Sequence, residues 1–154
     1  ATDRCKMYCG EKNQMYSAMS EELARMYNAA GRREESLACH LAVRNQLLKN
    51  GYREGSMLLM VDNNMSVVYL DLGRPEEAIP YLTEALELTK ENGLVGSAVA
   101  EPTWNLARVY RALGDEEKED IYLKAAVEGF RECYPPEHPK RIAAEQRLKE
   151  RQEE

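Results

Sequence analysis

Three glycine-terminated phrases constrain this chain more than any other feature. They read LARMYNAAG, MSVVYLDLG and LARVYRALG, and they end at Gly31, Gly73 and Gly114, at steps of 42 and 41 residues. Four residues before each glycine stands a tyrosine: Tyr27, Tyr69, Tyr110. Seven before stands a small residue (Ala24, Ser66, Ala107), and eight before a long aliphatic one (Leu23, Met65, Leu106). A weaker second series aligns Cys39 with Tyr81 and Tyr122, His40 with Leu82 and Leu123, and Val43 with Ala85 and Ala126. That series closes on Gly10, Gly51 and Gly93. Each column has a physical reason. A small residue lets two helices approach closely, and an aromatic one turn later fills the space beside the contact. Glycine after the last periodic residue supplies the left-handed conformation that ends a helix, and Pro75 suits a first helical turn. The unit is therefore one helical hairpin. Alone it cannot bury its apolar face, so successive units must stack.

The period divides the 154 residues into a single array. Residues 1–10 read as the tail of a truncated repeat, 11–50 as repeat one, 51–92 as repeat two, 93–134 as repeat three and 135–154 as a C-terminal capping helix. Ala at position 1 in place of Met suggests a trimmed or excised fragment. Abundant Ala, Leu, Glu, Lys, Arg and Met favour helix throughout. A net charge of −6 argues against a nucleic-acid or anionic-membrane partner, both of which need a basic footprint. No apolar run is long enough to cross a bilayer, and no signal peptide is evident. The cysteines (Cys5, Cys9, Cys39, Cys133) have no disulfide-framework spacing. Free thiols favour a reducing compartment, so a cytoplasmic location is expected.

The phrase Leu/Met-small-x-x-Tyr-x-x-x-Gly, clearest in NNMSVVYLDLGRPEEAIPYLTEALEL, resembles the tetratricopeptide repeat family. The resemblance covers nearly the whole chain. Its period departs from the usual one of about 34 residues and is similar to the long-repeat kinesin light chain subgroup. YPPEHPKRIA (Tyr134 to Ala143) is similar to the His-Pro linker of that subgroup. HEAT and armadillo repeats share the period but not the Tyr and Gly phrase. The resemblance implies an all-α, right-handed superhelical solenoid of antiparallel helix pairs. Three positions depart from the pattern. Glu119 stands in the column of Ser36 and Ala78, where a large charge is predicted to loosen the third hairpin. Pro80 and Pro102 lie inside predicted helices, where each should produce a kink unless it falls in a first turn.

In such arrays the first helices line a concave groove. The predicted core stripe of the second unit is Met57, Val61, Met65, Val68 and Leu72. The adjacent stripe, Met60, Asn64, Val67 and Asp71, is the predicted groove floor. One repeat later it continues as Glu101, Asn105, Arg108 and Ala112, and one repeat earlier as Ala18, Glu22, Arg25 and Ala29. Glu21, Asn63, Trp104 and Arg111 flank it. The resemblance implies that Asn64 and Asn105 hydrogen-bond the backbone of a bound peptide, for which an amide carries both donor and acceptor. The competing reading is that the two amides bond each other between adjacent helices. Arg25, Arg108 and Arg111 suit a carboxylate, or are solvated, or pair with Glu22 and Glu101. Trp104 is either an apolar anchor for the ligand or part of the core. A short, extended, acidic or C-terminal peptide is the expected ligand. Glu22 and Glu101 stand where a chaperone-tail carboxylate clamp would need positive charge.

Little else carries chemistry. Cys5 and Cys9, four apart, with Cys39 and His40 could form a soft metal site, but paired Cys-x-x-Cys spacing is absent and Cys39 aligns with core tyrosines. No metal or cofactor is expected. His40 aligns with leucines and reads as a packed histidine, and His138 as a loop or helix-start residue. EEKED (Glu116 to Asp120) reads as a solvated face. No catalytic triad, phosphate loop or metalloprotease motif is present. The last helix, KRIAAEQRLKERQEE, reads as a polar cap or a stub toward another domain. The expected function is a non-catalytic scaffold binding a peptide or protein segment. The alternative is a ligand- or peptide-sensing regulatory domain of a larger protein. An enzyme is disfavoured. The unfinished ends of the array are candidate surfaces for self-association.

Overall fold

The computed structural model describes residues 14–49, 51 and 56–153. Cys5, Cys9 and Gly10 lie outside these residues, as does the side chain of Ala18. Among the described residues seven helices follow one another: α1 Gln14–Ala29, α2 Arg33–Lys49, α3 Ser56–Asp71, α4 Ile79–Glu91, α5 Ser97–Leu113, α6 Glu116–Cys133 and α7 Pro139–Glu153. A 3-10 turn, Pro75–Ala78, leads into α4. The fold is an all-α solenoid of antiparallel pairs, α1 with α2, α3 with α4 and α5 with α6, and α7 lies on α6. The first helices α3 and α5 also touch each other directly.

The glycine columns end the helices as expected. Gly31, Gly73 and Gly114 have φ of +75°, +71° and +73°. After Tyr69, the Gly73 N–H bonds the carbonyl of Leu70 at 3.0 Å and the Arg74 N–H bonds that of Tyr69 at 2.9 Å. The same reversed pair of bonds closes α1 and α5, a Schellman motif in which the column tyrosine supplies the receiving carbonyl. The tyrosine rings have a second task. Arg32 lies over Tyr27 at 4.6 Å, Arg74 over Tyr69 at 5.4 Å, and Lys118 over Tyr110 at 5.0 Å. Arg32 and Arg74 each also bond the glutamate three residues on, Glu35 and Glu77. In the third hairpin the pair is reversed: Asp115 comes first and Lys118 three residues later, 3.0 Å apart. The cation still reaches the ring, and Asp115 additionally caps α6 by accepting the Lys118 N–H at 3.1 Å.

The core follows the periodic columns. Ala24, Ser66 and Ala107 are fully buried, as are Val61, Met65 and Val68 of the predicted stripe, with Met57 and Leu72 partly buried. Tyr69 stacks on Tyr81 and Tyr110 on Tyr122, at 5.7 and 5.5 Å between centroids, so each ring pair spans one hairpin. In the first hairpin Cys39 replaces the second tyrosine and is buried. One apolar cluster runs through α2, α3, α4 and α5, and a second joins α5, α6 and α7 around Phe130.

One expectation needs correction. Glu119 does not loosen the third hairpin. It is buried and takes a bidentate pair from Arg147 of α7, at 2.6 and 3.1 Å. Toward the other end of the hairpin, α5 and α6 approach so closely that a Cβ on Gly129 would lie 2.9 Å from that of Ala100. The charge is accommodated because its partner comes from the next helix. Pro80 falls in the first turn of α4, where its missing N–H had no helical partner to lose. Pro102 lies inside α5, which runs unbroken from Ser97 to Leu113 with the proline buried.

Candidate functional site

The first helices carry paired polar residues one step outside the core stripe, and the structure joins them diagonally. Asn105 donates to the side-chain oxygen of Asn63 at 2.7 Å. Asn64 donates to Glu21 at 3.2 Å. In both cases a residue of one unit reaches the neighbouring column in the unit before it. The competing expectation is corrected: Asn64 and Asn105 do not bond each other, and each is instead engaged with α1 or α3. Asn105 is buried and its amide oxygen also accepts from Arg108 at 3.1 Å. Asn64 is only partly buried.

Around this ladder three depressions adjoin. The first, about 330 Å³, is lined by Leu59, Met60, Asn63, Asn64, Leu94, Ser97, Glu101 and Pro102, among others. The second, about 310 Å³, is lined by Asn63, Asn64, Val67, Glu101, Trp104, Asn105, Arg108 and Lys140. A smaller one, about 80 Å³, lies between Trp104, Arg108, Arg111, Glu119 and Arg147. Eight predicted residues, Met60, Asn63, Asn64, Val67, Glu101, Trp104, Asn105 and Arg108, are thus brought onto one face of α3 and α5, and Arg111 extends it. Glu22 and Arg25 do not join them. They are exposed on α1 and pair with each other at 3.1 Å. Asp71 is exposed and accepts from Asn28 at 3.4 Å.

Glu101 is the hub of the face. Its carboxylate receives the Tyr134 hydroxyl at 2.5 Å, the Lys140 ammonium at 2.7 Å and the Asn63 amide at 3.5 Å. Burial pushes the Tyr134 phenol up to about 12, and the bond to Glu101 adds to the shift. Tyr134 is fixed in turn by Phe130 and by His138, whose ring stacks on it at 3.8 Å. Trp104 is half-buried and meets Phe130 edge to face at 6.5 Å, so it belongs to the core on one side and to the cleft on the other. Sequence reasoning missed Lys140, Tyr134 and Arg147. Tyr134 opens the irregular YPPEHP segment and the other two follow it, where the period is interrupted and columns no longer align.

The charges on this face do not cancel evenly. Glu101 is matched by Lys140, and Glu119 by Arg147. Arg108 bonds only the neutral Asn105, and neither it nor Arg111 has a carboxylate partner among the described residues. The two guanidiniums stand one helical turn apart beside Trp104. No group of three metal-ligating side chains occurs among the described residues, and no described helix is long and apolar enough to cross a membrane.

The sequence profile of the tetratricopeptide repeat matches residues 14–91 and again 56–132. No curated protein matches the sequence significantly. Among solved structures, a putative kinesin light chain with nearly identical TPR-like repeats from Podosopora anserina has a TM-score of 0.76 at 21% identity. The alignment covers 99% of this chain and 72% of that one. A point variant of the same protein gives 0.76 at 23% identity, covering 98% and 71%. BtubC (BKLC) from P. vanneervenii gives 0.73 at 19% identity, covering 90% and 63%.

Proposed function

Because the chain belongs to the tetratricopeptide repeat family, whose repeats are in general protein–protein interaction modules, we propose that it binds an extended acidic peptide segment in the groove of α3 and α5. Its repeat family and solved neighbours point to a non-catalytic scaffold fold. The observation that carries the finer reading is the pair Arg108 and Arg111, uncompensated beside Trp104. A guanidinium without a carboxylate partner suits bidentate capture of an acidic side chain or a terminal carboxylate. Trp104 offers an exposed edge for an apolar neighbour of that group. Asn64 contributes from the side, since its amide is only partly buried. Residues 11–50, 51–92 and 93–134 serve as the repeating units in this reading, with 135–154 closing the groove through Lys140 and Arg147.

Trp104 is the single tryptophan, so its fluorescence reports on the site directly. Titration with extended peptides of acidic, neutral and basic composition should move its emission only for the acidic set. Binding should weaken with added salt. Arg108→Gln with Arg111→Gln should lower affinity about tenfold or more, as expected for losing charge-assisted bonds, while the fold is retained. Equal binding of basic peptides, or a double variant that binds as the parent does, would sink the proposal.

A further inference from the structure

A second cluster of ionisable groups lies beneath the groove, where the first two hairpins meet. Asp62 of α3 is fully buried, at 0% exposure. Its Oδ1 accepts from Arg44 of α2 at 2.8 Å, while its Oδ2 has no hydrogen-bond partner. Arg44 also holds Glu84 of α4 and lies over the Tyr81 ring at 5.1 Å. Beside them, His40 of α2 is 1% exposed and its Nδ1 lies 2.8 Å from Oε1 of the buried Glu21 of α1. The other Glu21 oxygen receives the groove amide of Asn64. So α1 contributes Glu21, α2 His40 and Arg44, α3 Asp62, and α4 Glu84 and Tyr81. Three carboxylates, two of them buried and Glu84 partly exposed, face one permanent cation and one imidazole.

We infer that this junction is a pH-responsive fastening between the first and second hairpins, tightened by proton uptake and coupled to the groove floor through Glu21 and Asn64. With all three carboxylates ionised, negative charge exceeds Arg44 in a place with little water to screen it. Proton uptake by Asp62 removes one of the three negative charges and brings the cluster closer to balance with Arg44. The Asp62 carboxyl is pushed up to about 6, chiefly by burial, against the downward pull of Arg44 and with Glu84 and Glu21 adding to the rise. A carboxyl raised on folding holds more protons in the folded chain than in the unfolded chain between about 4 and 6. Stability from this group therefore rises as pH falls through 6 and is lost as pH rises through the same window. The carboxylates of Glu77, Asp115, Asp120 and Glu145 are held below their ordinary values by Arg74, Lys118, Arg151 and Arg131, respectively. They act in the opposite direction, but only at lower pH.

Thermal unfolding of the whole chain at pH 5 and pH 7.5 tests the first part. The midpoint should be higher at pH 5 by about 3–6 °C, and Asp62→Asn should flatten the dependence while keeping an acceptor for Arg44. Glu84→Gln, at a partly exposed position, serves if Asp62→Asn does not fold, and it should reduce the slope. The side-chain amide resonance of Asn64, followed by NMR over the same pH range, tests the coupling. It should shift with the midpoint of the stability change, and the shift should disappear in Asp62→Asn or shrink in Glu84→Gln. A parent protein equally stable at both pH values, an unchanged slope in both carboxylate variants, or an Asn64 amide that does not move would each overturn the inference.

Discussion

Gly73 shows most simply how a single residue shapes this protein. Its φ is +71°, and a Cβ placed there would meet nothing within 4 Å. Steric crowding by neighbours is therefore absent, and the whole penalty of substitution is conformational. Gly73→Ala should cost about 1–2 kcal/mol, the strain of holding an L-residue in the left-handed region, and urea denaturation would measure it. A loss well above that would mean the turn collapses with the loss of both reversed hydrogen bonds. The tyrosine four residues earlier is equally local in origin. Tyr69 closes the Schellman bond with its carbonyl, receives Arg74 on its ring and stacks on Tyr81. Its spacing from the glycine is legible in the sequence because all three tasks depend on that spacing.

At the scale of elements, α7 shows how a polar helix is docked. Ala144 is its buried residue, with Leu148 partly buried. Ion pairs add to this contact: Arg147 with Glu119, Arg151 with Asp120 and Glu116, and Glu145 with Arg131. Of these, only the Glu119 pair is nearly dry, with side chains 4% and 13% exposed. The exposed pairs contribute little each. Arg147→Ala strands a buried carboxylate and should destabilise by about 3 kcal/mol. Glu119→Ala should cost less, because Ala78 fills the same column in the second hairpin and Arg147 retains Glu150. A double-mutant cycle read by thermal denaturation checks the order. If Glu119→Ala proves the more harmful, the carboxylate has a task other than receiving Arg147.

Across the whole molecule, the same column has different consequences at different places in the array. Val68 and Val109 are buried where their helices meet the preceding hairpin. Met26 stands in their column on α1 and is 60% exposed, as no described residue covers it. Met26→Ala should change stability by no more than about 0.5 kcal/mol. Val68→Ala should cost about 2 kcal/mol through lost burial and a residual cavity. Equal effects in denaturant melts would contradict the stacking order. Stability in such an array is a sum of unit and neighbour terms, so position along the solenoid decides what a side chain contributes.

The sequence by itself determined the hairpin unit, its glycine ends, its buried small and aromatic columns, and the face on which Met60, Asn63, Asn64, Val67, Glu101, Trp104, Asn105 and Arg108 converge. Those features repeat because they arise from contacts within one unit or between equivalent neighbours, so each is written two or three times. Which polar groups are already engaged emerges from the packing of the helices. Asn105 pairs with Asn63 and not Asn64, Glu101 is neutralised by Lys140, Glu119 by Arg147, and Glu21 is met by His40. Each of these partners lies at least 19 residues away, and most lie across an interruption of the period or in a different column. A pairing made once, between positions of unrelated sequence spacing, leaves no periodic trace. The charge left on this face among the described residues, at Arg108 and Arg111, becomes visible only when the helices are placed side by side.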